Sequence, residues 1–526
     1  MKLQQLLNGI NVISIDGNLD REIDGVAHDS RRVEPNFVFV CYQGIAVDGH
    51  EYISDAIEKG ATAIISEKDL SLSKAKGVIN NCPKELSLPA NITWARVKDG
   101  RLALSLMAAN WYNLPAANLR LIGITGTNGK TSTAHLIHAI FTAAGFKMGI
   151  MGSIGHKFGD KFVPAMTTTP DSLKLQQLLK EMVDDGMDSV VMEVTSHSLA
   201  QKRVAGIQFD AAAFTNLTQD HLDFHEDMQS YLDAKVELFK QLKKDKGIAI
   251  LNADDDASQY IMQKLVSKES EGTSIPNGRS SGIEFPLLTY GVEKPADLYV
   301  KHVNSTLSNL KFTIITPKGE ADVNLKLLGE YNLYNALAAA GVGLSCGIEL
   351  DAIKTGLESA VVPGRFELID CGQDFAVVVD YAHTPDALER LLTASRKITE
   401  GRLICVFGCG GDRDRGKRPI MGRIASEIAD YVIITSDNPR TEKPAQITAE
   451  IEAGVKQGKN KVHESLYDVI VDRSSAIKRG IEIARSGDLV VIAGKGHENY
   501  QDFGDKRIHF DDREVAAEYI AKRLRI

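Results

Sequence analysis

The stretch Leu121-Ile-Gly-Ile-Thr-Gly-Thr-Asn-Gly-Lys-Thr131 decides the fold: a short apolar run ends in a glycine turn that opens a helix with Lys130 and Thr131. An apolar run of this length bounded by glycine reads as a buried strand. Such a turn aims backbone N–H groups, the positive end of a helix and a lysine ammonium at one place, which suits the phosphates of ATP. The Thr131 hydroxyl is then placed for Mg²⁺. Gly126, Thr127, Asn128, Gly129, Lys130, Thr131 and Ser132 are therefore candidate nucleotide contacts. The spacing departs from G-x-x-x-x-G-K-[ST], because Ile124 stands where the first glycine belongs. A plain glycine turn between strand and helix is the competing reading, and Gly-Lys-Thr after a buried strand weighs against it.

Outward from this turn the same rhythm repeats. Apolar runs at 119–125, 189–195, 211–217 and 247–253 are each followed by a helical stretch, which predicts a parallel sheet covered by helices. A second series at 375–380, 403–408, 431–435 and 489–494 predicts another α/β sheet. Residues 1–100 alternate shorter apolar runs, such as 36–41 and 61–65, with polar turns, and read as a small α/β unit. A chain of 526 residues is too long for one core, and about 100 to 200 residues per domain gives three domains. The boundaries are set at 1–100, 101–350 and 351–526. Residues 267–282, rich in Ser, Gly, Glu and Asn, read as a surface loop.

Composition narrows the function classes. Hydrophobic content of 43% and charged content of 25% are ordinary for a globular protein, and no apolar run reaches the ~18 residues that cross a bilayer. A net charge of −9 argues against a nucleic-acid-coating protein, which needs clustered positive charge. No secretory signal is evident, so the expectation is a cytoplasmic protein with no membrane or nucleic-acid partner. Cys41, Cys82, Cys346, Cys371, Cys405 and Cys409 form no CxxC pair and read as reduced thiols, mostly buried.

Three more residues belong with the glycine turn. Glu193 ends the run at 189–195, and ligands bind at strand ends in open α/β sheets. His221 follows the run at 211–217 and falls on the same edge. Lys235 shares a helix face with Met228, Leu232, Phe239 and Leu242, which predicts at least partial burial. Burial favours the neutral amine, the form that reacts with CO₂ to give an anionic carbamate able to hold Mg²⁺. A lysine that keeps its head in water is the competing reading.

These motifs resemble the Mur ligases. The matching strings are Thr125-Gly-Thr-Asn-Gly-Lys-Thr-Ser132, Thr168-Thr-Pro-Asp-Ser172, Met192-Glu-Val-Thr-Ser-His197, Asn216 to His221 with Ala234-Lys235, Gly329-Glu-Tyr-Asn-Leu-Tyr-Asn335, Pro363-Gly-Arg-Phe-Glu367, Asp380-Tyr-Ala-His-Thr-Pro385, residues 408–418, Asp437-Asn-Pro-Arg440 and Gly494-Lys-Gly-His-Glu498. They run in order over nearly the whole chain. The resemblance implies three domains: an N-terminal uridine-binding α/β domain, a central P-loop ATPase domain with a mainly parallel sheet, and a C-terminal Rossmann-like domain for the incoming amino acid. It implies a carbamylated Lys235 sharing two Mg²⁺ ions with Thr131, Glu193 and His221, adenine-side contacts at Asn332 and Asn335, and an ATP site completed by Arg365 and Asp380. Ser30 would contact uridine, and Thr167, Thr168, Thr169, Thr195, Gln201 and Arg203 would hold the muramoyl peptide. Thr167 and Thr195 depart from the Asn and Ser common in the family, and both keep a hydroxyl for hydrogen bonding.

The chemistry implied is ATP-dependent amide formation by a monomer that adds meso-diaminopimelate to UDP-N-acetylmuramoyl-L-alanyl-D-glutamate in peptidoglycan synthesis, with catalysis resting on Lys130, Lys235, Glu193 and His221. His383 is a candidate base, with nucleotide packing as its other reading. Amino-acid choice rests on Arg440: its guanidinium can grip the distal carboxylate of diaminopimelate in two hydrogen bonds, and lysine has no such group. Arg413, Asp437, Asn438, Pro439, Gly494 and Glu498 would complete the pocket, Glu498 facing an ammonium. A lysine-adding ligase is the nearest alternative, followed by a folylpolyglutamate synthetase-like enzyme. From another class, a P-loop nucleotide switch would hydrolyse ATP without any amino acid.

Overall fold

The computed structural model describes residues 1–45, 47–69, 89, 91–265, 286–306, 309–458 and 466–525. Cys82 and the loop expected at 267–282 lie outside the described residues. The chain folds as two compact units, one made of Met1–Thr127, Gly145–Leu251 and Asp255–Leu288, the other of Asn128–Ala144, Asn252–Asp254 and Thr289–Ile526.

The first unit holds one sheet and all but the ends of two strands of a second. The N-terminal sheet runs Val12–Asp16, Thr93–Val97, Ala63–Ser66, Phe37–Cys41, Gly25–Ala27, parallel except for its first strand. Its inner strands are buried on both faces, as parallel strands covered by helices must be. The larger sheet has eight strands in the order Leu287–Tyr290, Ile248–Asn252, Ala211–Phe214, Arg120–Thr125, Ser189–Glu193, Met148–Met151, His156–Phe158, Lys161–Val163. Arg120–Thr125 pairs in parallel with Ala211–Phe214 on one side and Ser189–Glu193 on the other, so the three predicted strands stand side by side. Gly123 lets a helix come close: a Cβ there would lie 2.7 Å from Leu238 and 3.1 Å from Phe209. The antiparallel strands 156–158 and 161–163, at one edge of this sheet, are too short to show a period in the sequence.

In the second unit the helix Lys130–Ala143 packs on Tyr331–Ser345 and Leu350–Ser359. The approach to Leu350–Ser359 is so close that a Cβ on Gly356 would sit 2.4 Å from the Ile140 Cα. Tyr299–Ser305, Leu310–Thr316 and Gly319–Leu325 form an antiparallel three-stranded sheet that the sequence reading did not anticipate. The six-stranded sheet runs Glu367–Leu368, Ala376–Asp380, Leu489–Ala493, Leu403–Phe407, Tyr431–Ile434, Leu466–Val469, parallel apart from its first strand. Asp380 and residues 408–416, 435–440 and 494–498 all leave its strands at their carboxyl ends, where ligands bind in such sheets. The architecture is α/β with mainly parallel sheets, as the sequence predicts. Cys41, Cys405 and Cys409 are buried free thiols, and Cys371 is exposed.

Candidate active site

In the first unit the glycine turn is locked by side chains beneath it. Gly126 has φ +149°, and a Cβ there would fall 1.8 Å from the Thr215 hydroxyl, so only glycine fits. Thr127 is stitched to the neighbouring strand end: its N–H donates to the Asn216 carbonyl at 2.8 Å, and its hydroxyl accepts from the Thr218 N–H at 3.0 Å. Lys235 lies directly below. It is 1% exposed, donates to the Gly126 carbonyl at 2.9 Å, and its ammonium carbon stem brings Nζ 4.1 Å from the centre of the Tyr231 ring. The helix face therefore carries the lysine inward rather than letting its head reach water.

Glu193 ends its strand 2% exposed, and its carboxylate accepts from the Ser153 N–H at 2.8 Å and the Ser153 hydroxyl at 3.2 Å. The same hydroxyl meets Thr168 at 3.0 Å. The Thr169 hydroxyl donates to the Glu193 carbonyl at 2.9 Å and accepts from the Thr195 N–H at 3.2 Å. Thr167 closes the turn by donating to the Thr169 carbonyl. Arg203 donates to that carbonyl too, at 2.8 Å, and grips the Gln201 amide oxygen through two nitrogens. The seven candidates Glu193, Thr167, Thr168, Thr169, Thr195, Gln201 and Arg203 thus form one hydrogen-bonded network. Ser153 joins it without a motif to announce it; the only sequence sign is Gly152, where a Cβ would strike the Glu193 carboxylate at 2.1 Å.

Gln201 and Arg203 open onto a cavity of about 220 Å³ that is also lined by His28, Tyr42, Arg101 and Asp171. Arg101 sits over the Tyr42 ring, and burial lowers the His28 pKa. Ser30, two residues beyond His28, is buried at the start of a short 3₁₀ turn, and Lys59 donates to its carbonyl. His221 has φ +54° and begins the helix Leu222–His225. Its ring meets His197 edge-on at 4.6 Å, and His197 packs on Phe224 at 4.2 Å. The sequence offers His197 only as the end of a matching string.

In the second unit Gly129 has φ +84°, and a Cβ there would meet the Asn335 amide oxygen at 2.4 Å. Lys130 and Thr131 begin the following helix, Ser132 is buried within it, and Asn128 donates to Asp386 at 2.9 Å. Asn335 donates to Asn332, which donates to the Leu328 carbonyl. The Arg365 guanidinium stacks on Tyr381 at 4.5 Å with one nitrogen 3.5 Å from the Thr131 hydroxyl. Asp380 accepts the N–H groups of Phe366 and Ala382, both at 2.7 Å, so it anchors the turn that carries Arg365. Burial pushes its pKa up, opposed by the Arg365 charge. His383 Nδ1 donates to the Tyr381 carbonyl at 2.9 Å.

The carboxyl ends of the second sheet gather a further polar cluster. Asn438, 2% exposed, donates to Glu498 at 2.8 Å and accepts from the Lys495 ammonium at 3.1 Å; Lys495 also donates to Glu498 at 2.9 Å. Gln501 donates to the Asp437 carbonyl, and a Cβ on Gly494, at φ +115°, would crowd the Asp437 carboxylate at 2.7 Å. Arg440 takes the left-handed conformation at φ +49° after Pro439, and its guanidinium donates to the Gly411 carbonyl at 2.6 Å. Arg413 is exposed and donates to its neighbour's carbonyl. Lys495, quoted only as part of a matching string, proves to be fully buried.

Three family models match the chain: Mur ligase family, catalytic domain over residues 22–112, Mur ligase middle domain over 124–343, and Mur ligase, glutamate ligase domain over 364–496. The chain is 44% identical to the UDP-N-acetylmuramoyl-L-alanyl-D-glutamate–2,6-diaminopimelate ligase of Syntrophomonas wolfei, with 100% of each chain covered. A solved structure of a ligase with the same description aligns at 32% identity and a TM-score of 0.69, covering 100% of this chain and 99% of that one. The MurF ligase of Thermotoga maritima, solved in complex with ADP, shares the fold at 18% identity and a TM-score of 0.59, covering 95% of this chain and 97% of that one. The chain belongs to the Mur ligase family.

Proposed function

We propose that this chain is the ATP-dependent ligase that joins meso-diaminopimelate to UDP-N-acetylmuramoyl-L-alanyl-D-glutamate in peptidoglycan precursor synthesis. The observation that carries the reading is the 437–440 corner. Asn438 fixes the Glu498 carboxylate while Arg440, two residues on, is held by the Gly411 carbonyl. A carboxylate for an ammonium and a guanidinium for a carboxylate are the two groups needed at the far end of diaminopimelate. The names of the full-length relatives support the same substrates.

In this reading the oxygen of the D-glutamyl γ-carboxylate attacks the γ-phosphorus of ATP and ADP leaves. The amine of diaminopimelate then attacks the acyl carbon, phosphate departs with the carboxylate oxygen, and the amine proton passes to solvent. Lys130 and Arg365 offset charge on the transferring phosphoryl group, the main protein task in phosphoryl transfer. Gly126 to Ser132 cradle the phosphates, Asn332 and Asn335 stand on the adenine side, and Asp380 sets the Arg365 turn. Thr167 to Thr169, Thr195, Gln201 and Arg203 hold the peptide, and Ser30 the uridine.

Glu193, His221, Thr131 and a carbamylated Lys235 are assigned to Mg²⁺. Mg²⁺ takes one or two carboxylates with water and phosphate oxygens, so this oxygen-rich donor set fits it. The burial of Lys235 beside the glycine turn supports the assignment of a carbamate there. When bound, the ion would neutralise charge on the phosphates. The proposal further takes the domains as 1–100, 101–350 and 351–526, and the protein as a cytoplasmic monomer. Among the described residues no helix is long and apolar enough to cross a membrane. The test uses substrate labelled with ¹⁸O in the D-glutamyl γ-carboxylate: one label should appear in each phosphate released with tripeptide. Unlabelled phosphate would overturn the acyl-phosphate route.

A further inference from the structure

Arg418 is fully buried in the first turn of the helix Lys417–Ile428, yet it is no part of the amino-acid pocket described above. A buried guanidinium must be paired, because an uncompensated charge in the interior is strongly destabilising. Two carboxylates meet it: Glu442 accepts from both terminal nitrogens at 2.8 and 2.9 Å, and Glu450 accepts at 2.7 Å. The same guanidinium also reaches the Gly410 carbonyl at 3.3 Å. Arg415 covers Glu450 from the solvent side.

Glu442 does more than balance this charge. Its Oε1 also accepts the Asp412 N–H at 2.6 Å, and Asp412 in turn accepts from the Thr441 hydroxyl at 2.7 Å and the Thr441 N–H at 3.2 Å. Asp412 has φ +53°, a conformation that needs such external support in a residue other than glycine. Immediately before it, Gly411 donates its N–H to the Asn438 carbonyl at 2.9 Å and offers its carbonyl to the Arg440 guanidinium at 2.6 Å. The fit leaves no slack: a Cβ on Gly411 would lie 1.9 Å from the Pro439 oxygen, and one on Gly410 would lie 3.0 Å from Arg440 Nη1. The carbonyl that aims Arg440 is therefore fixed, one residue away, by Glu442.

We infer that Glu442, braced by Arg418, is a positioning residue for amino-acid selection: it holds residues 410–412 so that the Gly411 carbonyl orients Arg440 toward the distal carboxylate of the incoming diamino acid. The inference rests on the role proposed for Arg440. The charge-assisted pairing with Arg418 holds the Glu442 pKa down to about 2, so the brace stays ionised across the working pH range. A glutamine at 442 keeps the shape but loses the charge, and its NH₂ faces Arg418 in either orientation: Nη1 when it takes the Oε2 position, Nη2 together with the Asp412 N–H when it takes the Oε1 position. All of these are donors, so at least one bond to Arg418 must open and the brace loosens.

The test is a double-mutant cycle on the full-length enzyme, with separate KM values for meso-diaminopimelate, ATP and the UDP-linked dipeptide. Glu442→Gln should raise the diaminopimelate KM about tenfold and leave the other two KM values within twofold. In an Arg440→Ala background the same change should leave the diaminopimelate KM within twofold of Arg440→Ala alone. Equal fold-changes in both backgrounds, or an unchanged diaminopimelate KM in folded Glu442→Gln, would overturn the inference. If Glu442→Gln does not fold, Thr441→Val carries the test, since it removes one support of Asp412 at an exposed site; a diaminopimelate KM raised two- to threefold is expected, and an unchanged one overturns the inference. Arg440→Ala that leaves the diaminopimelate KM unchanged would sink the Arg440 reading itself, a result the cycle displays separately.

Discussion

The network around Glu193 and the cluster around Arg440 solve the same problem, holding polar groups at strand ends, by different means. The first is built mainly from neutral hydroxyls and backbone groups: Ser153, Thr168, Thr169 and Thr195 share their hydrogen bonds with Glu193 and Arg203. The second is braced by buried charge: Lys495 on Glu498, Arg418 on Glu442 and Glu450, and Arg473 on Asp512 at 2.7 Å with both partners fully buried. Hydroxyl and backbone donors fix the Glu193 carboxylate in place by hydrogen bonds. Paired charges fix direction, which is what discrimination between two amino acids requires, and they cost desolvation that only complete pairing offsets.

Four changes separate these modes. Lys235→Met keeps the volume and the apolar helix face but removes the amine that meets the Gly126 carbonyl. Loss of nucleotide charge stabilisation should slow phosphate release about a thousandfold, roughly 4 kcal/mol in the barrier. A rate within tenfold of the unmodified enzyme would show that Lys235 only packs. The next effect is one of pH. His156, 2% exposed beside this sheet's edge, is held down to about 4 by burial and then by the charge of Lys174. Its unfolded pKa lies near 6.5, so the unfolded chain binds more protons between those values. Stability is full above about 6.5 and falls as pH drops toward 4, by at most about 3 kcal/mol. Chemical denaturation of His156→Gln across pH 7 to 4.5 should show a flatter profile; an unchanged slope would remove His156 as the cause.

In the charged cluster, Arg440→Ala should lower kcat/KM for diaminopimelate by about 10- to 200-fold, or ~1.5 to 3 kcal/mol, and scarcely alter that for lysine. Equal losses on both amino acids would show a general structural role. The smallest effect belongs to Thr195→Ser. The residue caps the helix Ser196–Ala200 through its hydroxyl on the Ser198 N–H, and serine keeps that oxygen. Melting and substrate KM should change by no more than about 0.5 kcal/mol equivalent; a larger loss would mean that the methyl group packs against the peptide.

The strands that build both sheets were legible because buried parallel strands write continuous apolar runs, and 119–125 and 403–408 appear in the structure as Arg120–Thr125 and Leu403–Phe407. Partial burial of Lys235 was legible from its helix face, but the sequence alone favoured a lysine with its head in water, and the full burial of the side chain was not legible. The antiparallel sheet from Tyr299 to Leu325 was not, because a sheet with one face in solvent writes no continuous apolar run: exposed Lys311 stands between buried Leu310 and Phe312, and exposed Asp322 and Asn324 flank buried Val323. Ser153, His197, Lys495 and Glu442 were missed as site residues for a common reason. Each matters through a partner far away in sequence, as Lys495 does through Asn438, and no local spacing records such a pairing.

The most direct test is phosphate release with ATP, Mg²⁺ and UDP-N-acetylmuramoyl-L-alanyl-D-glutamate, comparing meso-diaminopimelate, L-lysine and no amino acid. Release that depends on the nucleotide dipeptide and strongly favours diaminopimelate is the predicted result. Preference for lysine would contradict the role of Arg440, and release indifferent to both added substrates would contradict the ligase itself.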